Sequence, residues 1–220
     1  MQNIDVIVPV LVNFPEQVKM TLDCVRIARE TTKVPFNLVV VETFTNHFKD
    51  LADVYVWEKE KTTATISINR GLKVSNAPWK VLLTNDVFVK DGWLEALVEC
   101  FNTKKDCGVS TLASSQFKHQ RDNRIEEGNW WSVVMVPQYV LDKIGYFDER
   151  FKGVWDDTDL LMRIYVAGYK MYRNFNVVVD HLIGATHYKN PNHSANYNYG
   201  QVLFYEKHRG CNIPIFNTLK

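Results

Sequence analysis

The sequence predicts an α/β fold: one domain over residues 1–220, with a mainly parallel central sheet flanked by helices and a smaller second subregion. Strand-like and helix-like runs alternate through the first half, which is the rhythm of β-α-β units. The strand-like runs are short and almost wholly apolar, as strands buried on both faces are. No internal repeat, linker or low-complexity tract divides the chain, so a single domain is the simplest organisation.

The elements of the first half follow from local signals. The apolar run 4–10 opens the chain as a buried strand, and apolar residues then recur at helical spacing after the start signals Pro15 and Glu16. Further along, Asp91 and Gly92 precede another helix-patterned run. We predict strands at 4–10, 37–42, 53–57 and 79–84, and helices at 15–31, at 65–75 and from 91 onward.

The second half is more mixed, because a polar segment at 114–129 interrupts the alternation. An Asn/Tyr-rich stretch at 188–199 is expected to form a loop before the last helix. We predict strands at 109–113, 131–136, 170–173 and 177–180, and helices at 137–145, 156–168 and 200–209.

Composition narrows the functional classes only slightly. The net charge of +1 gives no global attraction to nucleic acid or to a membrane surface. The four cysteines form no CxxC pair, so a reducing compartment is the default. No apolar run approaches the roughly 20 residues that span a bilayer, and the first strand leaves no room for a signal peptide. We therefore expect a soluble, cytoplasmic protein.

Three carboxylates crowd the start of a helix-patterned run, in the sequence WDDTDLLMR at 155–163. Helix dipoles favour acids there, but adjacent like charges repel and raise at least one pKa. Such a cluster suits a general base. An ordinary helix cap, with Asp156 or Asp157 accepting backbone N–H bonds, is the competing interpretation.

Six motifs occur in a fixed order along the chain: VIVPV, VVVET, INRGL, LLTNDV, GYFDERF with WDDTDLLMR, and VVDHLIGAT. In order and spacing they resemble the inverting family-2 glycosyltransferases, whose fold is the Rossmann-like GT-A domain. The resemblance runs from Ile4 to about Gly210. It implies a nucleotide-sugar-binding half at 1–90, an acceptor and catalytic half at 91–187, and a C-terminal loop and helix at 188–220.

The resemblance implies a set of donor-binding residues. Glu42 stands where the family's acidic residue, usually aspartate, accepts a hydrogen bond from the base or ribose; a solvated strand-end acid is the alternative. Arg70 would reach the diphosphate, and Gly71 would allow close approach to the nucleotide, although a surface arginine is the simpler view of Arg70. The full set implied for the donor is Pro9, Glu42, Asn69, Arg70, Gly71, Asn85 and Asp86.

A divalent metal, manganese or magnesium, is implied by the segment ending in Asp86, which matches the family's DxD-type motif. Only this last acid remains of the motif, so diphosphate oxygens and water must supply most ligands. His181, at the end of a late strand, would approach the metal from the other side, and an imidazole favours manganese. A turn-forming Asp86 and a structural His181 are the alternatives.

By alignment with the same family, Asp157 occupies the position of the catalytic base. Displacement at an anomeric carbon needs a base beside the acceptor hydroxyl. Asp156 and Asp159 would orient the acceptor, cap the helix or pair with Arg163. The spacing of Asp159 and Arg163 favours an ion pair on one helix face.

Aromatic and basic residues indicate the acceptor side. Trp155 and Trp130 could stack on sugar rings or bases, whereas Trp131 is expected in the core. Lys118 and Arg121 lie in a locally basic segment that would suit a polyanionic acceptor, although Glu126 and Glu127 follow it closely. A glycan acceptor is favoured over a modified DNA base.

The predicted function is metal-dependent inverting transfer from a nucleotide sugar, a UDP-sugar in the first instance, to an acceptor hydroxyl. A non-catalytic sugar- or partner-binding module with the same fold is the alternative from another functional class, since the metal motif keeps only one acid. A nucleotidyltransferase is disfavoured, because the segment 10–16 lacks the glycine and lysine that its phosphate loop would need.

Overall fold

A nine-stranded sheet runs through the computed structural model, which describes residues 3–117, 121–182 and 192–211. Short helical turns at 49–51, 115–117 and 149–151 complete the secondary structure. The strands are β1 (Ile4–Leu11), β2 (Asn37–Thr43), β3 (Val54–Glu58), β4 (Trp79–Leu82), β5 (Val87–Phe88), β6 (Cys107–Ser114), β7 (Ile125–Glu127), β8 (Val134–Pro137) and β9 (Lys170–His181). The helices are α1 (Pro15–Glu30), α2 (Ala64–Val74), α3 (Trp93–Thr103), α4 (Gln138–Ile144), α5 (Asp156–Val166) and α6 (His193–Lys207).

The strand order is β3-β2-β1-β4-β8-β6-β9-β5, and β7 pairs with β9 away from this path. The four strands β1 to β4 pair in parallel, as the β-α-β rhythm predicts. Strand β8 enters antiparallel between β4 and β6. Because β6 then pairs in parallel with β9, both of these strands run in the direction of β4.

The core has two layers, one on each face of the sheet. Alternate residues of β1 divide between them: Val6 and Val8 pack on one face and Ile7 on the other. Residues of α1 and α3 cover the first face, and residues of α2, α4 and α5 cover the second. This double cover explains why the central strands are apolar throughout.

Several predicted boundaries were wrong. The strands predicted at 170–173 and 177–180 form one strand, β9, with a shift of register where Leu112 pairs with Asn174 and Ala113 with Val178. The last helix begins at His193 rather than at 200. The short strands β5 and β7 were not predicted, because runs of two or three residues carry no periodicity.

In the described part of the chain, no helix is long and apolar enough to cross a membrane. The cysteines are free thiols, and Cys24 and Cys100 are buried, as their helix-patterned surroundings predict.

Candidate active site

The carboxyl ends of β1, β2, β3, β4, β6 and β9 lie at one edge of the sheet, which we call the carboxyl edge. Helices α1 and α2 follow strands that end there, so they begin at this edge. Strands β2 and β4 flank β1 on opposite sides, and this is the kind of switch point where open α/β sheets bind ligands.

Asp86 and His181 meet at the carboxyl edge because β5 pairs with the end of β9, with Val87 opposite His181. The backbone N–H of Leu182 donates to the carbonyl of Asp86 at 2.9 Å and fixes this junction. Nε2 of His181 lies 3.7 Å from Oδ1 of Asp86. Two residues that are 95 positions apart in sequence are thus neighbours, as a shared metal-binding role would require.

Asp86 and His181 can bind a divalent ion only together with ligands from outside this pair. Asp86 is 4% exposed, and its Oδ1 atom is buried without a hydrogen-bond partner among the described residues. An orphaned carboxylate oxygen beside an imidazole is a suitable pair of metal ligands. In the described ranges no group of three or more His, Cys, Asp or Glu side chains is arranged so that it could hold a metal ion, so other ligands must complete any coordination sphere.

The acid cluster opens α5, with Trp155 as the N-cap in a left-handed conformation at φ 65°. Asp156 is buried, and its two oxygens accept from the Thr65 hydroxyl at 2.6 Å and from the Asp157 N–H at 3.1 Å. Oδ1 of Asp157 accepts from the N–H of Thr158 at 2.7 Å. The capping and catalytic interpretations are therefore compatible, since Asp156 binds backbone at the helix start while Asp157 is half-buried beside it.

The two adjacent acids differ in environment. Burial, and then the charge of Asp157, raise the pKa of Asp156 to about 6, while the Thr65 hydroxyl opposes this rise. Such a raised pKa is the perturbation that the crowded sequence predicts.

Asp159 is bound by side chains of the protein itself, which indicates a structural role. Arg163 donates to its Oδ2 at 2.9 Å, which confirms the predicted ion pair. Lys207 and His208, at the end of α6, both lie 2.8 Å from its Oδ1. Burial opposes ionisation, but the bond from His208 and the charges of Arg163 and Lys207 outweigh it and lower the pKa of Asp159.

Trp155 belongs to the packing of α6 rather than to an open acceptor surface, contrary to the expectation. Its ring contacts the rings of Tyr197, Phe204 and Tyr205, with centroids 5.3–6.0 Å apart. The indole N–H is nevertheless buried without a partner among the described residues. Trp155 therefore anchors the start of α5 against α6.

Glu42 is placed differently from the expected ribose contact. Its side chain is fully buried, and its two carboxylate oxygens accept four hydrogen bonds, from the Thr45 and Tyr55 hydroxyls and from the N–H groups of His47 and Phe48. A carboxylate with this many protein donors has little capacity for a ligand. Glu42 instead organises the loop that follows β2.

Three residues of α2 hold the helix in place instead of facing an open pocket. The amide of Asn69 exchanges hydrogen bonds with the backbone of Phe147, at 2.8 and 3.0 Å. The guanidinium of Arg70 forms an ion pair with the buried carboxylate of Glu58. Gly71 permits a close approach as predicted, but to the sheet: a Cβ there would lie 2.3 Å from Cγ2 of Ile7.

Two further donor candidates lie near the carboxyl edge. Pro9 is half-buried in β1 opposite Val41, and the strand continues two residues beyond it instead of ending there. Asn85 is buried, and its side-chain amide donates to the Thr21 hydroxyl of α1 at 2.9 Å. Asn85 therefore ties the segment carrying Asp86 to α1.

The acceptor-side candidates are dispersed. Trp130 is 45% exposed and packs edge-to-face on Phe117, with ring centroids 4.7 Å apart. Arg121 lines an open cavity of about 530 Å³ built by the end of α1, residues 88–91 and residues 176–178, which are different elements from the acid cluster. Lys118 lies outside the described residues. Trp131 is half-buried against Phe147, close to the core position expected for it.

Buried polar atoms without hydrogen-bond partners in the described chain concentrate at the carboxyl edge. Only a few such atoms are expected in a folded domain, and their grouping at one edge is typical of a polar binding site. Ser110, in the middle of β6, is an exception. The atoms at the edge belong to Gln17, Thr84, Asp86, Ser114, Gln116, Trp131 and Trp155.

Two residues of this region were not predicted from the sequence. Thr65 reaches Asp156 from α2, a contact across 91 positions that no local pattern indicates. Phe44 follows β2 at φ 71° and is 63% exposed, which is an unusual conformation for a residue with a side chain. The sequence signal for Phe44 is the position of an aromatic residue directly after a buried strand.

No protein-family model and no curated protein matches the chain. Solved structures do match it. The mannosyltransferase PcManGT from Pyrobaculum calidifontis, in complex with GDP-Man and Mn²⁺, aligns with 99% of this chain at a TM-score of 0.69 and 17% identity. S. aureus TarS aligns with 98% of the chain at a TM-score of 0.72 and 11% identity, and TarS 1–349 aligns with 98% at 0.67 and 13%.

These alignments confirm the predicted fold class, because they cover 98–99% of the chain at TM-scores of 0.67–0.72. At identities of 11–17% the likeness establishes the fold and not the reaction. The chain spans 67% of PcManGT, 41% of TarS and 68% of TarS 1–349, so each of these proteins has further residues that this chain does not match.

Proposed function

We propose that this chain is an inverting glycosyltransferase of the family-2 type, which transfers a sugar from a nucleotide sugar to an acceptor hydroxyl. One observation carries the proposal: Asp86, with its orphaned oxygen, follows β4 at the carboxyl edge, and Thr65 at the start of α2 holds the Asp156–Asp157 pair at the same edge of a glycosyltransferase-like sheet. Asp86 is suited to bind the cation that accompanies a leaving diphosphate. The Asp156–Asp157 pair is suited to remove a proton from an acceptor hydroxyl.

In the proposed reaction, the carboxylate of Asp157 accepts the proton of the acceptor hydroxyl as its oxygen bonds to the anomeric carbon. The bond from that carbon to the diphosphate oxygen breaks, and the nucleoside diphosphate leaves with the electron pair. Attack opposite the leaving group inverts the configuration. The hydrogen bonds from the Thr158 N–H and hydroxyl fix the orientation of the Asp157 carboxylate.

Asp86 and His181 would hold a manganese or magnesium ion. When bound, the ion would neutralise negative charge on the leaving diphosphate. With two protein ligands, the affinity of the site depends on the nucleotide, so metal and donor are expected to bind together. This proposal rests on the orphaned oxygen of Asp86.

The proposed donor is a nucleotide sugar, with a UDP-sugar as the first candidate. Since PcManGT is known in complex with GDP-Man, GDP-mannose is the main competitor. The buried Glu42 removes the acidic contact on which the choice of base was predicted to depend.

The proposed acceptor is a glycan. The net charge of +1 gives no global attraction to a polyanion, and the exposed Trp130–Phe117 pair offers aromatic surface of the kind that stacks on sugars. A modified DNA base is the second acceptor to test.

A panel of nucleotide sugars, titrated calorimetrically with and without Mn²⁺, tests the proposal. We expect at least one donor to bind more tightly with Mn²⁺, and to release nucleoside diphosphate slowly even without acceptor. Asp86→Asn should remove the Mn²⁺ dependence. If no member of the panel binds, the glycosyltransferase proposal fails. If donors bind but release no diphosphate with any acceptor, the chain is a sugar-binding module.

Asp157→Asn should reduce transfer by at least a hundredfold, because general-base catalysis contributes on the order of 10²–10⁴-fold. Donor affinity should change less than twofold, since the proposed base faces the acceptor. Initial rates and calorimetry measure the two quantities. Asp106→Asn is the matched control, because Asp106 pairs with Lys170 at the opposite edge of the sheet. Equal loss of binding and transfer in Asp157→Asn would remove this residue from the base role.

A further inference from the structure

Thr65, at the start of α2, connects two parts of the chain that the acid cluster depends on. Its side chain is fully buried, although its hydroxyl is a polar group. That hydroxyl lies 2.7 Å from the backbone nitrogen of Gly153 and 2.6 Å from Oδ2 of Asp156. One atom of α2 therefore contacts both the loop before α5 and the first acid of α5.

The partners of the Thr65 hydroxyl determine which atom donates in each of its two hydrogen bonds. The N–H of Gly153 can only donate, so the Thr65 oxygen accepts from it. The single hydroxyl hydrogen is then directed to Oδ2 of Asp156. Oδ1 of Asp156 accepts from the N–H of Asp157. Both oxygens of Asp156 are acceptors, an arrangement that favours the ionised carboxylate.

The charge on Asp156 affects its neighbour. Asp156 and Asp157 are adjacent, and each makes ionisation of the other less favourable. An ionised Asp156 therefore increases the basicity of Asp157. A neutral Asp156 would leave Asp157 a weaker base.

We propose that Thr65 is a positioning residue that holds Asp156 ionised and oriented, and through it tunes the basicity of Asp157. The catalytic half of this inference rests on the proposed function, whereas the link between Thr65 and Asp156 does not. The charged neighbours of Asp156 within α5 are Asp157 and Asp159. Asp159 is itself bound to Arg163 of α5, to Lys207 of α6 and to His208, which follows α6.

Carboxyl-carbon NMR of the full chain, labelled at aspartate, tests the link directly. Thr65→Val removes the hydroxyl at nearly constant shape, and should move the titration midpoint of Asp156 to higher pH by about one unit, the effect of one hydrogen bond to a charged group. Thr65→Ser keeps the hydroxyl and should restore the wild-type midpoint. Ser67→Ala is the control, because Ser67 is a buried hydroxyl of α2 bonded within its own segment.

Should Thr65→Val fail to fold, Thr65→Cys replaces the hydroxyl by a weaker donor and should give a smaller shift in the same direction. An unchanged Asp156 midpoint in whichever of these two variants folds overturns the proposal, whatever reaction the protein catalyses. A midpoint that moves equally in Ser67→Ala would also overturn it, since the effect would then belong to the helix and not to Thr65.

The pH dependence of transfer tests the catalytic half. In Thr65→Val the acidic limb of kcat should move to higher pH by the same amount. Activity near pH 6 should then fall about fivefold, because the ionised fraction of Asp156 drops from about a half to about a tenth, and it should recover at higher pH. A uniform loss at all pH values would indicate a merely structural role and refute the tuning of Asp157. If the Asp156 midpoint moves but the wild-type protein transfers no sugar, the proposed function fails and the link stands.

Discussion

At the scale of single residues, Asp156 is an acid whose environment opposes its charge. Burial and the neighbouring Asp157 raise its pKa to about 6, whereas an unfolded chain would titrate it near its usual value. The folded state therefore holds a proton here more tightly than the unfolded state does. Its contribution to stability is complete below the unfolded pKa and is lost as the pH rises through about 6.

Asp156→Asn should accordingly stabilise the protein at pH 7, because the neutral amide keeps the shape and removes the buried charge. At about 1.4 kcal/mol per pKa unit, the gain is on the order of 2–3 kcal/mol. It should disappear near pH 4, where the native carboxyl is protonated. Urea denaturation at pH 4 and pH 7 measures this difference.

Asp148→Asn is the control with the opposite sign. The Arg150 guanidinium, with Lys207, holds the pKa of Asp148 well below its usual range, against the effect of burial. Asp148 therefore adds stability above its unfolded pKa, and this is lost as the pH falls. The variant should be less stable than wild type at pH 7. Finding Asp156→Asn destabilised at pH 7 would mean that its hydrogen bonds outweigh its charge.

The sequence was informative about residues where chemistry and local pattern coincide. The acid cluster, the Asp159–Arg163 pair and the proximity of Asp86 to His181 were all predicted. The sequence could not show which polar groups the fold itself uses. Glu42 looks like a ligand contact in the sequence, but its donors come from a loop whose path local patterns do not determine.

At the scale of elements, α2 owes its position to Gly71. A Cβ at this position would meet Cγ2 of Ile7 at 2.3 Å and Cγ2 of Val41 at 3.1 Å, so the helix lies almost against β1 and β2. That close approach also places Thr65 and Asn69 where they reach Asp156 and Phe147. A glycine inside a helix is unfavourable in isolation, and the sheet contact explains its presence here.

Gly71→Ala should destabilise the protein by about 1–3 kcal/mol, the usual cost of overpacking, despite the better helix propensity of alanine. The urea midpoint measures this loss. Gly128→Ala is the matched control, because the nearest atom to its Cβ is the flexible end of Arg173, at 3.3 Å. Equal stability of wild type and Gly71→Ala would show that α2 can move outward without cost.

The elements that sequence patterns predicted best are the long and strongly apolar ones. Strands β1 and β2 and helix α1 lie close to their predicted bounds, because burial on both faces and helical spacing leave clear patterns. The antiparallel insertion of β8 between β4 and β6 was not predictable, since pairing direction depends on the path of the chain. Helix α6 was predicted too short because its first turns are polar and aromatic and carry little helical signal.

At the scale of the whole molecule, stability is expected to be unequal. The two-layered core around β1, β2 and β4 is completely buried, whereas within residues 193–207 only Gly200 and Phe204 of α6 are buried. Phe204 packs between Trp155 and His208, with ring centroids 5.3 and 4.9 Å away. Helix α6 therefore covers the start of α5, through rings packed on Trp155 and through Lys207, which pairs with Asp159.

Phe204→Ala should loosen α6 without unfolding the sheet. Removing a buried phenylalanine typically costs about 3–5 kcal/mol, and Phe204 is the one large apolar side chain buried within 193–207. Hydrogen exchange should therefore increase in 193–207 and in 154–160, while the amides of β1 and β2 keep their protection. Val202→Ala, at an exposed position of the same helix, should change neither region. If exchange instead increases throughout the sheet, α6 is an integral part of the main core, and the start of α5 is held by the entire fold.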